Sequence, residues 1–224
     1  MNKYRLISTC LLLGAMLGNQ AMAAFTLSGT RFIYEEGRKN ISIEVNNKSQ
    51  ETYGGQVWVD NIQHSAENVY FTPAPTFFRV DGNQKQIIRL LNINQSLPKD
   101  KESIFWLNVQ EIPPVYKDGA NVLAVALNTK VKLFFRPKAL VEKRENAEQQ
   151  IQVKGNELVN PTPYYFAITN VQINGQPIKL SKQLASELSI FPPFSQVKMG
   201  RALNGAVKIE AIDDYGARRE YQLK

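Results

Sequence analysis

An all-β chain of two β-sandwich domains is what this sequence predicts, on three observations. Apolar and polar residues alternate with period two in segment after segment, as half-buried strands require. Turn signals such as Glu36-Gly37, Asp81-Gly82-Asn83, Asp118-Gly119, Asn174-Gly175 and Tyr215-Gly216 recur at short intervals. No stretch shows a sustained 3.6-residue apolar repeat bounded by caps. With 43% hydrophobic and 21% charged residues, the 224-residue chain has the balance of a folded protein and not of a disordered one.

The first element in order is a leader. Lys3 and Arg5 form a positive start, Leu6–Leu17 an apolar run, and Ala21-Met22-Ala23 a small-x-small cleavage site. The run falls short of the roughly 20 residues of a membrane span. Residues 1–23 are therefore expected to be a cleaved signal peptide, and the mature protein to be exported, with no direct membrane insertion. Cys10, the one cysteine, leaves with the leader. The fold must then hold by packing alone.

Ile41–Val45, Gln56–Asp60, Ser103–Val109 and Ala206–Ile212 read as strands. Trp58 is expected in the core of a middle strand, and His64, in the polar loop after it, facing solvent. Pro137 ends a strand, residues 138–150 lose hydrophobicity and gain charge, and a new strand pattern begins at Ile151. The domains expected are 24–140 and 146–224, with 141–145 as linker. Lys143-Arg144, between Glu142 and Glu145, reads as a solvated linker. From Asn121 to Arg136 the chain reads as one long strand, against about five or six residues for an ordinary one. Leu123, Val125 and Leu127 share one of its faces. That row fits either a core-facing strand or an edge strand whose apolar row serves a partner.

Composition limits the chemistry. One histidine and one cysteine supply neither a catalytic triad nor a metal cluster, so no catalytic residue, no metal and no cofactor is expected. An Asp213-Asp214 pair would have to carry any hydrolase reading, and adjacent strand residues point apart. The net charge of +7 is scattered and nowhere interleaved with aromatics, which speaks against nucleic acid as a partner. The Asn40, Asn47 and Asn94 sequons read as plain surface asparagines.

The segment from Leu97 to Pro114, with Ser-Ile-Phe-Trp-Leu-Asn-Val at its centre, resembles the signature of the PapD-like periplasmic pilus chaperones. Thr30–Tyr34 resembles the first strand of that family and Asn128–Pro137 the end of its seventh. Asn160–Tyr165 and Asp214-Tyr-Gly216 resemble landmarks of its second domain. The resemblance implies two immunoglobulin-like β-sandwiches in a boomerang arrangement, working in the periplasm. The partners implied are fimbrial subunits lacking their last strand, with an outer-membrane usher as the receiver. The mode implied is donor-strand complementation, strand addition to an exposed sheet edge.

By the same resemblance, Leu123, Val125 and Leu127 fill the groove of the client, while Arg31 and Lys132 anchor its C-terminal carboxylate. Leu127 and Lys132 are five residues apart, so in an unbroken strand they face opposite sides. Either the strand twists or bulges between them, or Lys132 enters the cleft from the other face. Glu102, Arg136 and Asp214 match an ion-pair network that holds the interdomain angle. Pro75 matches a proline that follows a cis bond. The usher-docking positions correspond to Thr52 and Gly54, neither of them the family's proline or bulky apolar residue. The short connection from Pro114 to Asn121 points to the short-loop subclass. A sticky edge also implies a self-capping oligomer in the free form. The competing reading is a periplasmic ligand-binding or adhesin-type sandwich, with Tyr116, Tyr164 and Tyr165 exposed to stack on sugar.

Overall fold

The computed structural model describes residues 23–65, 67–115 and 124–223. The expected signal peptide, apart from Ala23, lies outside the described residues, as do Tyr116 and Leu123. No helix among the described residues is long and apolar enough to cross a membrane.

The first sandwich contains β1 (Phe25–Leu27), β2 (Arg31–Glu35), β3 (Ile41–Asn47), β4 (Tyr53–Asn61), β5 (Phe71–Ala74), β6 (Phe77–Val80), β7 (Lys85–Asn92), β8 (Ser103–Ile112) and β9 (Asn128–Arg136). One sheet runs β1-β3-β7-β5 and the other β2-β9-β8-β4-β6. The first strand segment changes sheets between Leu27 and Arg31, so β1 pairs with β3 while β2 runs parallel to β9. The chain changes sheets again between β5 and β6, where the Ala74–Pro75 bond is cis.

Alternation decides the core. Ile43 and Val45 of β3, Ile88 and Leu90 of β7, Phe105, Leu107 and Val109 of β8, and Leu133 and Phe135 of β9 are buried together between the sheets. Each such side chain contributes roughly 1.5–3 kcal/mol when fully buried. In β4 the same rule places Val57 in the core and Trp58 on the opposite, outer face, half-buried. Trp58 is therefore not the core tryptophan expected.

The second sandwich contains β10 (Gln152–Lys154), β11 (Glu157–Asn160), β12 (Ile168–Ile173), β13 (Gln176–Pro177), α1 (Lys182–Ser189), β14 (Ser195–Lys198), β15 (Val207–Ile212) and β16 (Arg218–Gln222). Its sheets run β10-β11-β14 and β13-β12-β15-β16. The core gathers Leu158, Tyr164, Phe166, Val171, Phe191 and Ile209. The helix is capped at Ser181, whose hydroxyl accepts from the Leu184 N–H, and it buries Leu188. Two 3₁₀ turns, Lys138–Leu140 and Ala147–Gln150, join the sandwiches.

Two surface expectations need correction. His64 is half-buried, its ring stacked on Phe105 at 5.5 Å and tilted against Tyr70 at 5.0 Å. Burial, with the charge of Lys101, pulls its imidazole below the ordinary histidine range. Asn47 is buried, and its amide donates to the carbonyls of Glu51, Val80 and Asp81. It ties the end of β3 to the turn beyond β6.

Candidate functional site

The site grows from the outer face of β8 and β9, the face turned away from the first core. Ile104 and Phe134 lie on it, and the second sandwich covers them with Tyr165 and Ile190. Ile33 and Ile62 complete this small apolar cluster between the domains. Tyr165 donates from its hydroxyl to the Gln63 side chain across the junction, and burial pushes its phenol up to about 12. Tyr164, its neighbour in sequence, points instead into the second core. Both tyrosines are buried, at 2% and 5% exposure, and so are not available to stack on a sugar.

Beside the cluster lies an ion network. Arg136 Nε donates to Glu102 Oε1 at 2.6 Å and Arg136 Nη1 to Asp214 Oδ2 at 2.6 Å. The other oxygen of Glu102 accepts the Tyr165 N–H at 2.9 Å. Glu102, Arg136 and Asp214 are thus brought together, and the network is larger than that trio. Arg144 stands 3.6 Å from Asp214 and makes a two-bond pair with Glu148 at 3.0 and 2.7 Å. It also lies over the rings of Tyr164 and Phe166. Of the stretch expected to be a solvated linker, Glu142, Lys143 and Glu145 are exposed, but Arg144 is buried at 8% exposure and its partner Glu148 at 1%. Four residues separate the two charges, but the chain between them is a turn with Asn146 at φ +56°, so no helical spacing announced the pair.

Burial pushes Glu102 above the ordinary carboxylate range, with Arg136 and the Tyr165 N–H acting against it. Asp214 is raised by burial but lowered further by its Arg136 hydrogen bond and by Arg136, Arg144 and Arg31, and ends below that range. Asp213 turns the other way, to Arg219 at 2.6 Å. The Asp213–Gly216 turn closes on the first domain at Gly216. Its φ of +88° lies in the left-handed region that favours glycine. A Cβ there would also sit 2.6 Å from Thr30 Oγ1.

The cleft beyond the network holds two cations. Parallel pairing of β2 with β9 sets Arg31 opposite Lys132. The β8–β9 register runs without a shift, so no bulge intervenes, and Lys132 stands on the face opposite Val131 and Leu133. Its ammonium donates to the carbonyl of Ser189, the last residue of α1, where the helix dipole favours a cation. Burial and the nearby Arg31 lower Lys132 to about 8. Arg31 Nη1 donates to the Ile212 carbonyl at 2.9 Å, while its buried Nε has no partner among the described residues. Burial lowers Arg31 too, with Asp214 opposing. A carboxylate is the group that two half-dry cations and an unanswered guanidinium N–H accommodate.

From this cleft β9 runs outward. It has neighbours on both edges from Lys132 to Arg136, but β8 alone from Asn128 to Val131 among the described residues. The strand is shorter than the sixteen residues expected: it begins at Asn128, and residues 124–127 precede it outside any strand. Val125 and Leu127 are exposed at 54% and 42%, so neither belongs to the core.

A family model described as "Pili and flagellar-assembly chaperone, PapD N-terminal domain" matches residues 24–141, and "Pili assembly chaperone PapD, C-terminal domain" matches residues 146–223. The chain belongs to the PapD family of pili assembly chaperones. It is a chaperone and not an enzyme. The Escherichia coli chaperone protein FanE is 45% identical over all of this chain and 99% of its own length. Among solved structures, the Pseudomonas aeruginosa CupB2 chaperone superposes with a TM-score of 0.72 at 28% identity, covering 88% of this chain and 98% of that one. A chain from the complex of the Salmonella enterica SafA pilin with the SafB chaperone gives 0.72 at 26% identity, covering 90% and 96%.

Against that family, Thr52 and Gly54 of this chaperone sit at the start of β4. Thr52 donates to Asp81 at 2.9 Å. A Cβ at Gly54 would lie 3.2 Å from Ile112. The connection after Pro114 falls mostly outside the described residues.

Proposed function

We propose that this chaperone binds fimbrial subunits in the periplasm by lending them the open edge of β9, with Arg31 and Lys132 holding the client's C-terminal carboxylate. The observation that carries the reading is the strand itself: it leaves a cleft containing two half-buried cations and continues outward with one edge unpaired among the described residues. A client missing a strand exposes an apolar groove and a row of free backbone groups, a hazard for aggregation. The β9 edge answers the backbone row, and Leu123, Val125 and Leu127 answer the groove. Three aliphatic side chains contribute about 5–9 kcal/mol gross, before ordering costs are subtracted. The carboxylate anchor fixes the register, which an apolar row leaves free to slip by two residues.

Glu102, Arg136 and Asp214 hold the angle between the domains and hence the width of the cleft. The signal peptide, residues 1–23, delivers the chain to the periplasm. Residues 24–140 and 146–224 fold as its two domains about the 141–145 linker, and an usher in the outer membrane takes the loaded complex. The free edge also caps itself in an oligomer when no client is present. The test is Lys132→Ala: the variant stays folded, and the fimbrial subunit no longer accumulates in the periplasm. Normal subunit levels beside that variant would remove the anchor.

A further inference from the structure

Residues 128–131 of β9 pose a physical problem. A strand segment paired on one side alone tends to open locally. A donor edge that opens has to be ordered again at each encounter, which weakens and slows binding.

The Glu111 N–H donates to the Leu127 carbonyl at 2.9 Å. Hydrogen-bonded pairs alternate from that point, so Thr129 and Val131 bond to β8, while the backbone groups of Asn128 and Lys130 face the open side. Side chains alternate with the same period, and those of Asn128 and Lys130 stand on the outer face of the sheet. Each is tied to β8. Asn128 Nδ2 donates to Asn108 Oδ1 at 3.2 Å, and Asn108 Nδ2 donates to Asp60 Oδ2 at 2.9 Å and to the Trp106 carbonyl at 3.3 Å. Asn108 is 1% exposed, and the Asp60 carboxylate fixes which way its amide points. The Lys130 ammonium lies 5.1 Å from the centre of the Trp106 ring. The two residues that offer backbone groups to the open side are thus the two whose side chains are held.

We infer that Asp60, Trp106 and Asn108 act through Asn128 and Lys130 as positioning residues, keeping the open segment of β9 extended before a client arrives. This rests on the edge-pairing function proposed above. Asn128 and Lys130 are exposed, so replacing them leaves the core intact.

The test uses the full mature chain as wild type, Asn128→Ala/Lys130→Ala and Lys130→Arg. Two quantities are read: amide hydrogen exchange at Thr129 and Val131 in the free protein, and binding of a synthetic peptide carrying the C-terminal strand of a fimbrial subunit. The double variant should exchange at least about tenfold faster at both amides and bind the peptide about tenfold more weakly, mainly through slower association. Lys130→Arg, which keeps a cation over Trp106, should recover part of both. Unchanged exchange in the double variant overturns the inference, whatever the peptide does. Faster exchange with unchanged affinity overturns it as well. A wild type that does not distinguish the free peptide acid from its C-terminal amide refutes the anchor reading instead, and exchange still decides whether the segment is held.

Discussion

Replacing Arg136 by Met removes the centre of the interdomain network while keeping a long side chain in its place. The structure sets the size of the loss. Arg136 makes bonds of 2.6 Å to both Glu102 and Asp214, and the Glu102 side chain is 1% exposed. Without Arg136, Glu102 keeps among the described residues only the Tyr165 N–H as its donor, and Asp214 keeps Arg144 at 3.6 Å. Stranding a buried charge in this way costs about 3–5 kcal/mol. For a chain of this size that is on the order of 10 °C in melting temperature. Burial would then act on Glu102 with little to oppose it, so its folded pKa would stand above its unfolded one. The folded variant would hold more protons than the unfolded chain, and its deficit should shrink as pH falls toward the carboxylate range. Adding Glu102→Gln to Arg136→Met should restore much of the loss, because no charge is left unanswered at that position. Thermal unfolding at two pH values, followed by tryptophan fluorescence, measures all of this. A single-variant loss below about 1 kcal/mol, or a double variant no better than the single, would refute the reasoning.

Two further outcomes follow from the cleft and the edge. Lys132 titrates at about 8 when the cleft is empty, and a bound carboxylate favours its charged form, so binding takes up a proton above that pH. Affinity for a peptide ending in the C-terminal sequence of a fimbrial subunit should be flat below pH 8 and fall above it, by at most about tenfold per pH unit; a flat profile to pH 9.5 would remove Lys132 from the anchor. In the free protein the sign is the reverse: the lowered folded pKa makes stability rise with pH from about 8 toward the unfolded value of 10.5. Leu127→Ser should leave stability within about 0.5 kcal/mol, because that side chain is exposed, yet weaken client binding by about 1.5–3 kcal/mol. Equal binding by wild type and variant would take Leu127 out of the groove row.

The strands that alternate cleanly were readable from the chain alone, and β3, β4, β8 and β15 all form where the period-two pattern placed them. What a period cannot say is which of two faces meets a partner. Gln56-Val-Trp-Val-Asp60 has Val57 and Val59 on one face and Trp58 on the other, and only the packing of the opposing β1-β3-β7-β5 sheet decides that the valines face in. The eight-residue helix α1 escaped because two leucines, Leu184 and Leu188, make too short a repeat to detect. Arg144 and Glu148 escaped for a different reason. A run of mixed charge reads as solvated, and its burial here comes from the second domain folding against it. The consecutive tyrosines 164 and 165 show the same limit: one enters a core and the other a domain junction, a distinction set entirely by tertiary neighbours.

The parity of β9 explains how one strand serves several ends. Odd-numbered residues Val131, Leu133 and Phe135 pack into the first core, which fixes the strand in place. Even-numbered residues face outward and change character along the strand. Arg136 joins the ion network, Phe134 the apolar junction, Lys132 the cleft, and Lys130 and Asn128 are tied to β8. The neighbour on its second edge, β2, stops pairing at Lys132, the point where the outward face passes from domain contact to cleft. The proposed anchor there would measure register from the first residue at which the edge is free among the described residues. Moving the anchor by one residue would turn it into the core, and moving it by two would set it under the second domain or along the open edge. Lys132 is therefore at the one position of β9 from which a cation can reach the cleft and still begin the open edge.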